Sequence, residues 1–261
     1  MTILTYNSFL RAPTWIFFRD KQTWRTKHIP DGLRGYDVVV LQEAFSNRHR
    51  KAIIEALEDE YPYQSKILGV DEFFSYNGGV IILSRWPILS EAQTVFTRCD
   101  GSDCMVKKGV VYTKIDKLGK DYHLFGLHLQ AQVEYADARI AQFPEVRDFI
   151  ERQYIPEDEP LLIAGDFNIN YYTKDEDGEF DAIVQMLNVH FQDDQPEATY
   201  SSATNSIVED QIRERVDYIL YSNGHLQPSS AINQVIYIRE GDRDLSDHHG
   251  VVGRFDFGQV E

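Results

Sequence analysis

Five apolar runs of strand length in this chain carry a titratable residue at or near one end. Glu43, His128 and Asp166 each follow such a run, Asp217 lies inside another, and Asp247 precedes the last one. Burying an unpaired carboxylate costs on the order of several kcal/mol, so carboxylates on core strands need a shared cation or a hydrogen-bonding partner. The pattern therefore predicts that these five positions meet in one site.

The composition is typical of a folded domain with a large core. Of the 261 residues, 43% are hydrophobic, and 16 Gly and 9 Pro give no sign of a low-complexity chain, so we expect one domain spanning residues 1–261. The net charge of −16 opposes a broad nucleic-acid-binding surface, which needs clustered Lys and Arg. A phosphate site assisted by a cation remains compatible with this charge.

No apolar stretch approaches the ~20 residues of a membrane-spanning helix, and no signal-peptide pattern follows the first residue.

Strand patterns alternate with helix patterns along the chain, and no linker interrupts them. Amphipathic periodicity predicts helices at 48–60 and 135–151. Four strand patterns between residues 78 and 130 are separated by turn signals and predict an antiparallel meander. Two sheets with helices on the outside accommodate this order. The polar connections 170–179 and 192–211 are too long for ordinary turns, which is typical of functional loops.

The two cysteines, Cys99 and Cys104, lie in a turn-rich segment. Their spacing is equally compatible with a short-range disulfide and with two free thiols. Without a neighbouring histidine they form a poor zinc site.

Six motifs together resemble a known enzyme superfamily. In chain order they are Thr5-Tyr6-Asn7, Gln42-Glu43, Gly126-Leu127-His128, Gly165-Asp166-Phe167-Asn168, Arg215-Val216-Asp217-Tyr218 and Ser246-Asp247-His248. Over essentially the whole chain, this set resembles the endonuclease/exonuclease/phosphatase superfamily. Within it, residues 107–114, 128–131 and 203–207 are similar to the bacterial-type neutral sphingomyelinases (sphingomyelinase C).

The resemblance implies an α/β fold, a four-layer α-β-β-α sandwich of two mixed sheets (DNase I-like), with a divalent metal in a cleft at one edge. Glu43 and Asn7 would be metal ligands, and Asp247 would contact a second metal or a water. Carboxylate and amide oxygens are the ligands that Mg²⁺ prefers. Mg²⁺ is therefore the expected cofactor, with Mn²⁺ or Co²⁺ as plausible substitutes.

The resemblance also implies catalytic roles. His248 would be the general base that activates water, and Asp217 would orient its ring. His128 and Asn168 would donate to phosphate oxygens, while Asp166 would position the water or steady the metal. Taken singly, such residues are more readily explained as ion-paired or core residues. Six motifs in superfamily order are not explained that way.

The expected substrate is sphingomyelin, or a related choline phospholipid, at a membrane surface. Carboxylates and aromatic faces attract a choline cation, whereas an acidic surface makes nucleic acid a less favoured partner. A metal-dependent nuclease of the same superfamily is the first alternative. An inositol-phosphate phosphatase ranks third, because the cleft loops are rich in Asp, Glu, Tyr and Ser. A non-catalytic lipid-binding module would have lost a metal ligand or the base, and none is lost.

The family resemblance alone leads us to expect a secreted protein. A monomer is the default expectation for its oligomeric state.

Two aromatic clusters in loop positions are candidates for membrane docking. The first contains Trp15, Phe17 and Phe18, and the second contains Phe73 and Phe74. Aromatic side chains suit the bilayer interface, but they serve equally well as apolar plugs beneath loops. Secreted relatives carry an exposed aromatic pair on a hairpin before the Ser-Asp-His motif, and residues 231–245 lack one. Docking would therefore depend on the two earlier clusters.

Overall fold

The computed structural model describes residues 1–11, 21–73, 75–193, 196–209 and 211–258. Within these ranges the strands are Thr2–Leu10 (β1), Val38–Ala44 (β2), Tyr63–Gln64 (β3), Ile81–Ser84 (β4), Ile88–Val95 (β5), Gly109–Lys117 (β6), Lys120–His128 (β7), Leu161–Asp166 (β8), Val189–His190 (β9), Tyr200–Ser201 (β10), Arg213–Glu214 (β11), Asp217–Ser222 (β12), Ser230–Ile236 (β13), Arg239–Glu240 (β14), Arg243–Asp244 (β15) and Gly250–Asp256 (β16). The α-helices are Gln22–Gly32 (α1), Asn47–Ala56 (α2), Ala136–Glu151 (α3), Lys174–Asp177 (α4) and Glu179–Leu187 (α5). None of these helices has the length and apolar character needed to cross a bilayer.

The long strands form two six-stranded sheets. The first has the order β13-β16-β1-β2-β4-β3, and the second has the order β5-β6-β7-β8-β12-β9. Each sheet is mixed, because β1 is parallel to β2 and β7 is parallel to β8, whereas the other pairs are antiparallel. The predicted pair of mixed sheets is therefore confirmed.

Three apolar clusters hold four layers together. One lies between the sheets and includes Val40 and Leu162. A second packs the first sheet against α1 and α2, and a third packs the second sheet against α3 and α5. The sheets approach closely at Gly126, where an added Cβ would lie 2.7 Å from a methyl carbon of Val40. The α-β-β-α sandwich is the predicted one.

The predicted four-stranded meander is wrong in its first member. Strand β4 pairs with β2 in the first sheet, so the meander consists of β5, β6 and β7. Turn signals between strands mark where the chain reverses, but they do not say which strand becomes the partner. The short turn between β4 and β5 carries the chain from one sheet to the other. Strand β13 was not predicted, because as an edge strand it is half exposed and polar residues interrupt its apolar ones.

The topology explains why the predicted positions converge. Asn7, on β1, donates to a carboxylate oxygen of Asp166 at the end of β8, so the two sheets meet at this edge. Strand β12 is antiparallel to β8, which sets its first residue, Asp217, opposite Asp166. Strand β16 is antiparallel to β1, so the residues that precede it, including His248, arrive at the same edge.

Candidate active site

A buried histidine–carboxylate pair lies at this edge. The Nδ1 atom of His248 is 2.9 Å from Oδ2 of Asp217, and both side chains are almost inaccessible to solvent. Burial disfavours the imidazolium, but attraction to Asp217 and Asp166 outweighs it and raises the pKa of His248 well above its ordinary value. The other ring nitrogen, Nε2, lies 3.9 Å from Asp166, which is too long for a direct hydrogen bond. The ring of Tyr200 packs against the imidazole, 5.1 Å between centroids.

Asp166 is the centre of a second group of contacts. One carboxylate oxygen accepts from the Asn7 amide (2.9 Å) and lies 3.5 Å from Nε2 of His128; the other accepts from the backbone N–H of Asn168 (2.9 Å). Burial, followed by repulsion from Asp217, raises the pKa of Asp166 to about 6. Burial lowers the pKa of His128 well below its ordinary range, so this ring is neutral and offers one N–H donor.

The Asn168 carboxamide is held by a backbone carbonyl that a lysine also binds. Its Nδ2 donates to the Leu129 carbonyl (3.0 Å), and Nζ of Lys108 donates to the same oxygen (3.0 Å). Lys108 is buried and pairs with Asp103 (2.7 Å). Asn168 also has a φ of +52°, an uncommon backbone angle for a residue with a side chain. The contacts orient one amide hydrogen and leave the second available to a ligand.

Glu43 and Asp247 lie on the other side of the cleft. Glu43 has a φ of +51°, and such strain at a residue with a side chain is typical of functional sites. The neighbouring Gly79 makes room for this conformation, since an added Cβ would lie 3.1 Å from the Cα of Glu43. Burial and the Asp247 carboxylate raise the pKa of Glu43 to about 7. The charges of these two side chains therefore oppose each other in the absence of a cation.

The side chains present fit a hard divalent cation. Asp166, Asp217 and His248 each have a ligand atom within 4.8 Å of the others, but a hydrogen bond already uses one ligand atom of Asp217 and one of His248. Glu43 and Asp247 supply two further carboxylates. The Asn7 oxygen accepts from the backbone of Phe9 (3.1 Å), which leaves it a second lone pair. Oxygen donors of this kind suit Mg²⁺.

The raised pKa of Glu43 predicts a pH-dependent effect of Mg²⁺ on stability. Its ordinary value is 4.5 and its value in the fold is about 7. Between these values the folded state binds a proton that the unfolded state has released, so metal-free stability falls as pH rises. A cation that neutralises Glu43 and Asp247 removes this repulsion. We expect Mg²⁺ to raise the Tm more at about pH 8 than at about pH 5.

The measurement is thermal unfolding with Mg²⁺ and with chelator at both pH values. The matched variant is Glu43→Gln, in which the difference between the two pH values should shrink. An equal Mg²⁺ effect at both pH values in the parent would contradict the assignment of this carboxylate.

Sequence reasoning missed residues that support the site. The hydroxyl of Thr199 accepts from the backbone N–H groups of Val216 (3.2 Å) and Asp217 (3.3 Å) and so helps to position Asp217. Thr199 and Tyr200 both lie in the long connection 192–211. The length of this connection was the only sequence feature that indicated a functional role for it. His249 is buried, and its Nε2 lies 3.0 Å from the Thr204 hydroxyl, a flanking position behind the base.

The structure decides the pairing of Cys99 and Cys104, which form a disulfide. Asp103, within the loop that this bond closes, accepts from the backbone N–H of Ala131 (2.8 Å) as well as pairing with Lys108. The disulfide loop is therefore joined to the segment that follows His128.

Only one of the five candidate membrane-docking residues, Phe73, lies in the part of the chain that the structure describes. Phe73 is 92% exposed. Its loop is joined to the start of α2, because Asp71 accepts from the Asn47 amide (2.6 Å). The other four candidates, Trp15, Phe17, Phe18 and Phe74, lie outside the described residues.

The chain is similar to several characterised enzymes. Residues 7–248 match the model of the Endonuclease/Exonuclease/phosphatase family. Sphingomyelinase C of Listeria ivanovii is 32% identical, over 85% of this chain and 76% of that relative. A sphingomyelinase C of Bacillus cereus is 34% identical, over 90% of this chain and 79% of the relative. The crystal structure of a Staphylococcus aureus beta toxin double mutant with bound magnesium ions superposes with a TM-score of 0.86 at 27% identity, covering 98% of this chain and 99% of the other.

The extent of these matches agrees with the sandwich and with the clustered motif residues. The chain belongs to the endonuclease/exonuclease/phosphatase family, in which it is a phosphodiesterase of the group that contains the bacterial sphingomyelinases C.

Proposed function

We propose that the protein is a Mg²⁺-dependent sphingomyelin phosphodiesterase that releases phosphocholine and ceramide. The observation that carries the proposal is the buried pair of His248 and Asp217 beside Asp166, facing the carboxylates of Glu43 and Asp247. This arrangement combines a base, its orienting carboxylate and oxygen ligands in one cleft. The identity to sphingomyelinases C over most of the chain supports the choice of substrate.

His248 acts as the base in this proposal. Its Nε2 faces the cleft near Asp166 and takes a proton from the attacking water, while Asp217 holds Nδ1 and stabilises the imidazolium that forms. Asp166 lies close enough to orient the same water. The proton transfer contributes about 10²- to 10⁴-fold to the rate.

The phosphate is held by neutral donors in the same proposal. The second amide hydrogen of Asn168, which the bond to Leu129 leaves available, and the ring of His128, whose Nε2 lies 3.5 Å from Asp166, would donate to the phosphate oxygens. Glu43, Asp247 and Asn7 would hold Mg²⁺, which when bound withdraws charge from a phosphoryl oxygen and from the departing oxygen. Because His128 is neutral, it donates without competing with the cation.

The test is incubation with sphingomyelin vesicles and, separately, with plasmid DNA, each with Mg²⁺ and with excess chelator. We expect phosphocholine release that requires Mg²⁺, and intact plasmid. Nicking without phosphocholine would instead assign the protein to the nucleases of the family. Phosphocholine release that persists in chelator would overturn the metal-dependent mechanism.

Phe73 is proposed to dock the protein on the lipid surface. Replacement by alanine should lower the rate on sphingomyelin vesicles severalfold, because an exposed aromatic side chain no longer enters the membrane interface. The rate on a soluble choline phosphodiester should stay at the parent value. Leu89→Ala removes another exposed apolar side chain, from β5, and serves as the matched control. Equal losses on both substrates would refute docking by Phe73.

Secretion is proposed as well. The disulfide between Cys99 and Cys104 supports it, since such bonds persist mainly in oxidising compartments. Detection of the active enzyme in culture medium rather than in cells would test this location.

A further inference from the structure

The proposed mechanism leaves one carboxylate beside the catalytic base without a role. Glu214 is the second residue of β11 and lies directly opposite Tyr200 of β10 in a two-stranded antiparallel ladder. Residues opposite each other in such a ladder project to the same face, with Cβ atoms about 5 Å apart. The ring of Tyr200 packs against His248, 5.1 Å between centroids. The Glu214 side chain therefore lies on the cleft side of the ladder.

The electrostatic surroundings of Glu214 agree with this position. Burial raises the pKa of its carboxyl group, and His248 and then Arg139 oppose part of the rise. Arg139 donates to the carbonyls of Gln130 (3.1 Å) and Gln132 (2.9 Å), in the segment that follows β7. Glu214 is thus within electrostatic reach of the base and of a cation that holds this segment.

No group of the fold neutralises Glu214. Within the ranges that the structure describes, its carboxylate has no hydrogen-bond donor and no cation within bonding distance. Arg139 forms a bidentate pair with Glu179 instead (2.7 and 2.9 Å). The two ring nitrogens of His248 face other carboxylates. A partly buried carboxylate without a partner costs free energy, which a bound cation would offset.

The backbone of the ladder is fixed relative to the catalytic pair. The backbone N–H of Thr199 donates to the Glu214 carbonyl (2.8 Å), and the Thr199 carbonyl accepts from the backbone N–H of His249 (2.8 Å). The hydroxyl of Thr199 accepts from the backbone N–H of Asp217 (3.3 Å). Glu214 and Tyr200 are therefore attached to the same segments that carry the base and its orienting carboxylate.

Tyr200 also borders open space. It lies in the wall of a cavity of about 690 Å³ that reaches Asp247, within the size range of small-molecule sites. A ligand that enters the cavity can therefore contact the tyrosine ring. The rest of the wall carries charges of both signs, on Arg11, Lys21, Arg25, Arg243, Glu209 and Asp244. Such a mixed wall does not by itself select a cation.

An aromatic ring next to an unpaired carboxylate suits a quaternary ammonium. Such a cation has no hydrogen-bond donor, so aromatic faces and negative charge bind it. We propose that Glu214 and Tyr200 recognise the trimethylammonium group of the substrate's choline and so determine head-group specificity. The ethylene bridge of choline keeps this group close to the phosphate that His128 and Asn168 would hold. The inference rests on the proposed sphingomyelin phosphodiesterase.

The experiment compares sphingomyelin with its neohexyl analogue, in which a carbon atom replaces the ammonium nitrogen and removes the charge without changing the shape. Both lipids are presented at the same mole fraction in nonionic detergent micelles with Mg²⁺. Ceramide is the common product, and the readout is the ratio of its initial rates of formation, which cancels any general loss of activity. We expect the parent protein to prefer choline roughly 10-fold, between the values for exposed and desolvated cation–π contacts.

The deciding variant is Glu214→Gln, which keeps the shape of the side chain and removes its charge. Its rate ratio should fall towards unity, and thermal unfolding verifies that the variant is folded. Tyr200→Leu keeps an apolar side chain without an aromatic face and should lower the ratio by about 2- to 5-fold.

The matched control is Glu209→Gln. Glu209 is an exposed carboxylate in the wall of the cavity, and its replacement makes the same change in net charge. The preference for choline should stay at the parent value. If Glu214 only tuned the base, its replacement would move the acid limb of the pH profile for both lipids and leave their ratio unchanged.

Two outcomes overturn the head-group assignment alone. One is equal rates for the two lipids in the parent protein. The other is a preference for choline that survives in Glu214→Gln; its loss in Glu209→Gln would then place the choline in the cavity wall near Asp247. No ceramide from sphingomyelin would instead contradict the proposed sphingomyelin phosphodiesterase.

Discussion

Replacement of His248 by alanine should lower turnover by about 10²- to 10⁴-fold, the usual contribution of a positioned general base. The Nε2 atom of this ring faces the cleft, and Nδ1 is bound to Asp217. The alanine variant leaves the Asp217 carboxylate buried without its partner, so some stability is lost as well, about 1–3 kcal/mol. Phosphocholine release and the unfolding transition should therefore be measured on the same sample.

Two further variants separate the chemistry from stability. His248→Gln keeps a donor for Asp217 and should be more stable than the alanine variant but equally inactive. His190→Ala removes an exposed ring from β9, at the opposite end of β12, and should keep parent activity. A folded His248→Ala protein with parent turnover would disprove the role of this base.

Asp217→Asn tests the orienting role through the pH profile. Loss of the carboxylate removes the attraction that raises the pKa of His248. Since turnover needs the neutral ring, the acid limb of kcat/KM should move to lower pH while its maximum falls. If Asp217 only supported the fold, its replacement would lower the maximum of kcat/KM and leave the acid limb of the pH profile in place.

Replacement of Glu43 by glutamine should raise the Mg²⁺ concentration needed for half-maximal activity by at least roughly 10- to 100-fold, the effect reported for changes to groups that merely support metal ligands. The same change should stabilise the metal-free protein, because it removes the repulsion between Glu43 and Asp247. A residue that only supports the fold would not produce weaker metal binding together with a higher metal-free Tm.

Metal titration of activity and thermal unfolding in chelator measure the two effects. Glu91→Gln, on β5, removes a carboxylate that pairs with Lys66 (3.0 Å) and is the control. Unchanged Mg²⁺ dependence in Glu43→Gln would place the cation elsewhere in the cleft.

Local sequence patterns predicted the elements that carry the site. The apolar run before Glu43 forms β2, and the run before Asp166 forms β8. The resemblance predicted the sandwich, and the structure confirms it. Asp217 and His248, separated by 31 positions, are in contact as the motif order implies. That residues 1–261 form one domain, and that the protein is a monomer, stay predictions.

Local patterns could not determine which strands pair across turns, because turn residues specify a reversal and not a partner. Strand β4 therefore joined the wrong sheet in the prediction. The sequence also left the pairing of Cys99 and Cys104 open, since spacing alone does not give the distance between two side chains.

The sequence by itself predicted most of the helices and strands, because periodicity and turn residues are local properties of the chain, and the resemblance of its motifs supplied the expected roles of the cleft residues. Only the tertiary structure decided what lies beside that cleft. Lys108 meets the carbonyl that holds Asn168, and Arg11 and Arg243 meet around one cavity although they are far apart in the chain. Such contacts depend on how two sheets and their loops pack, and packing is a property of the whole fold.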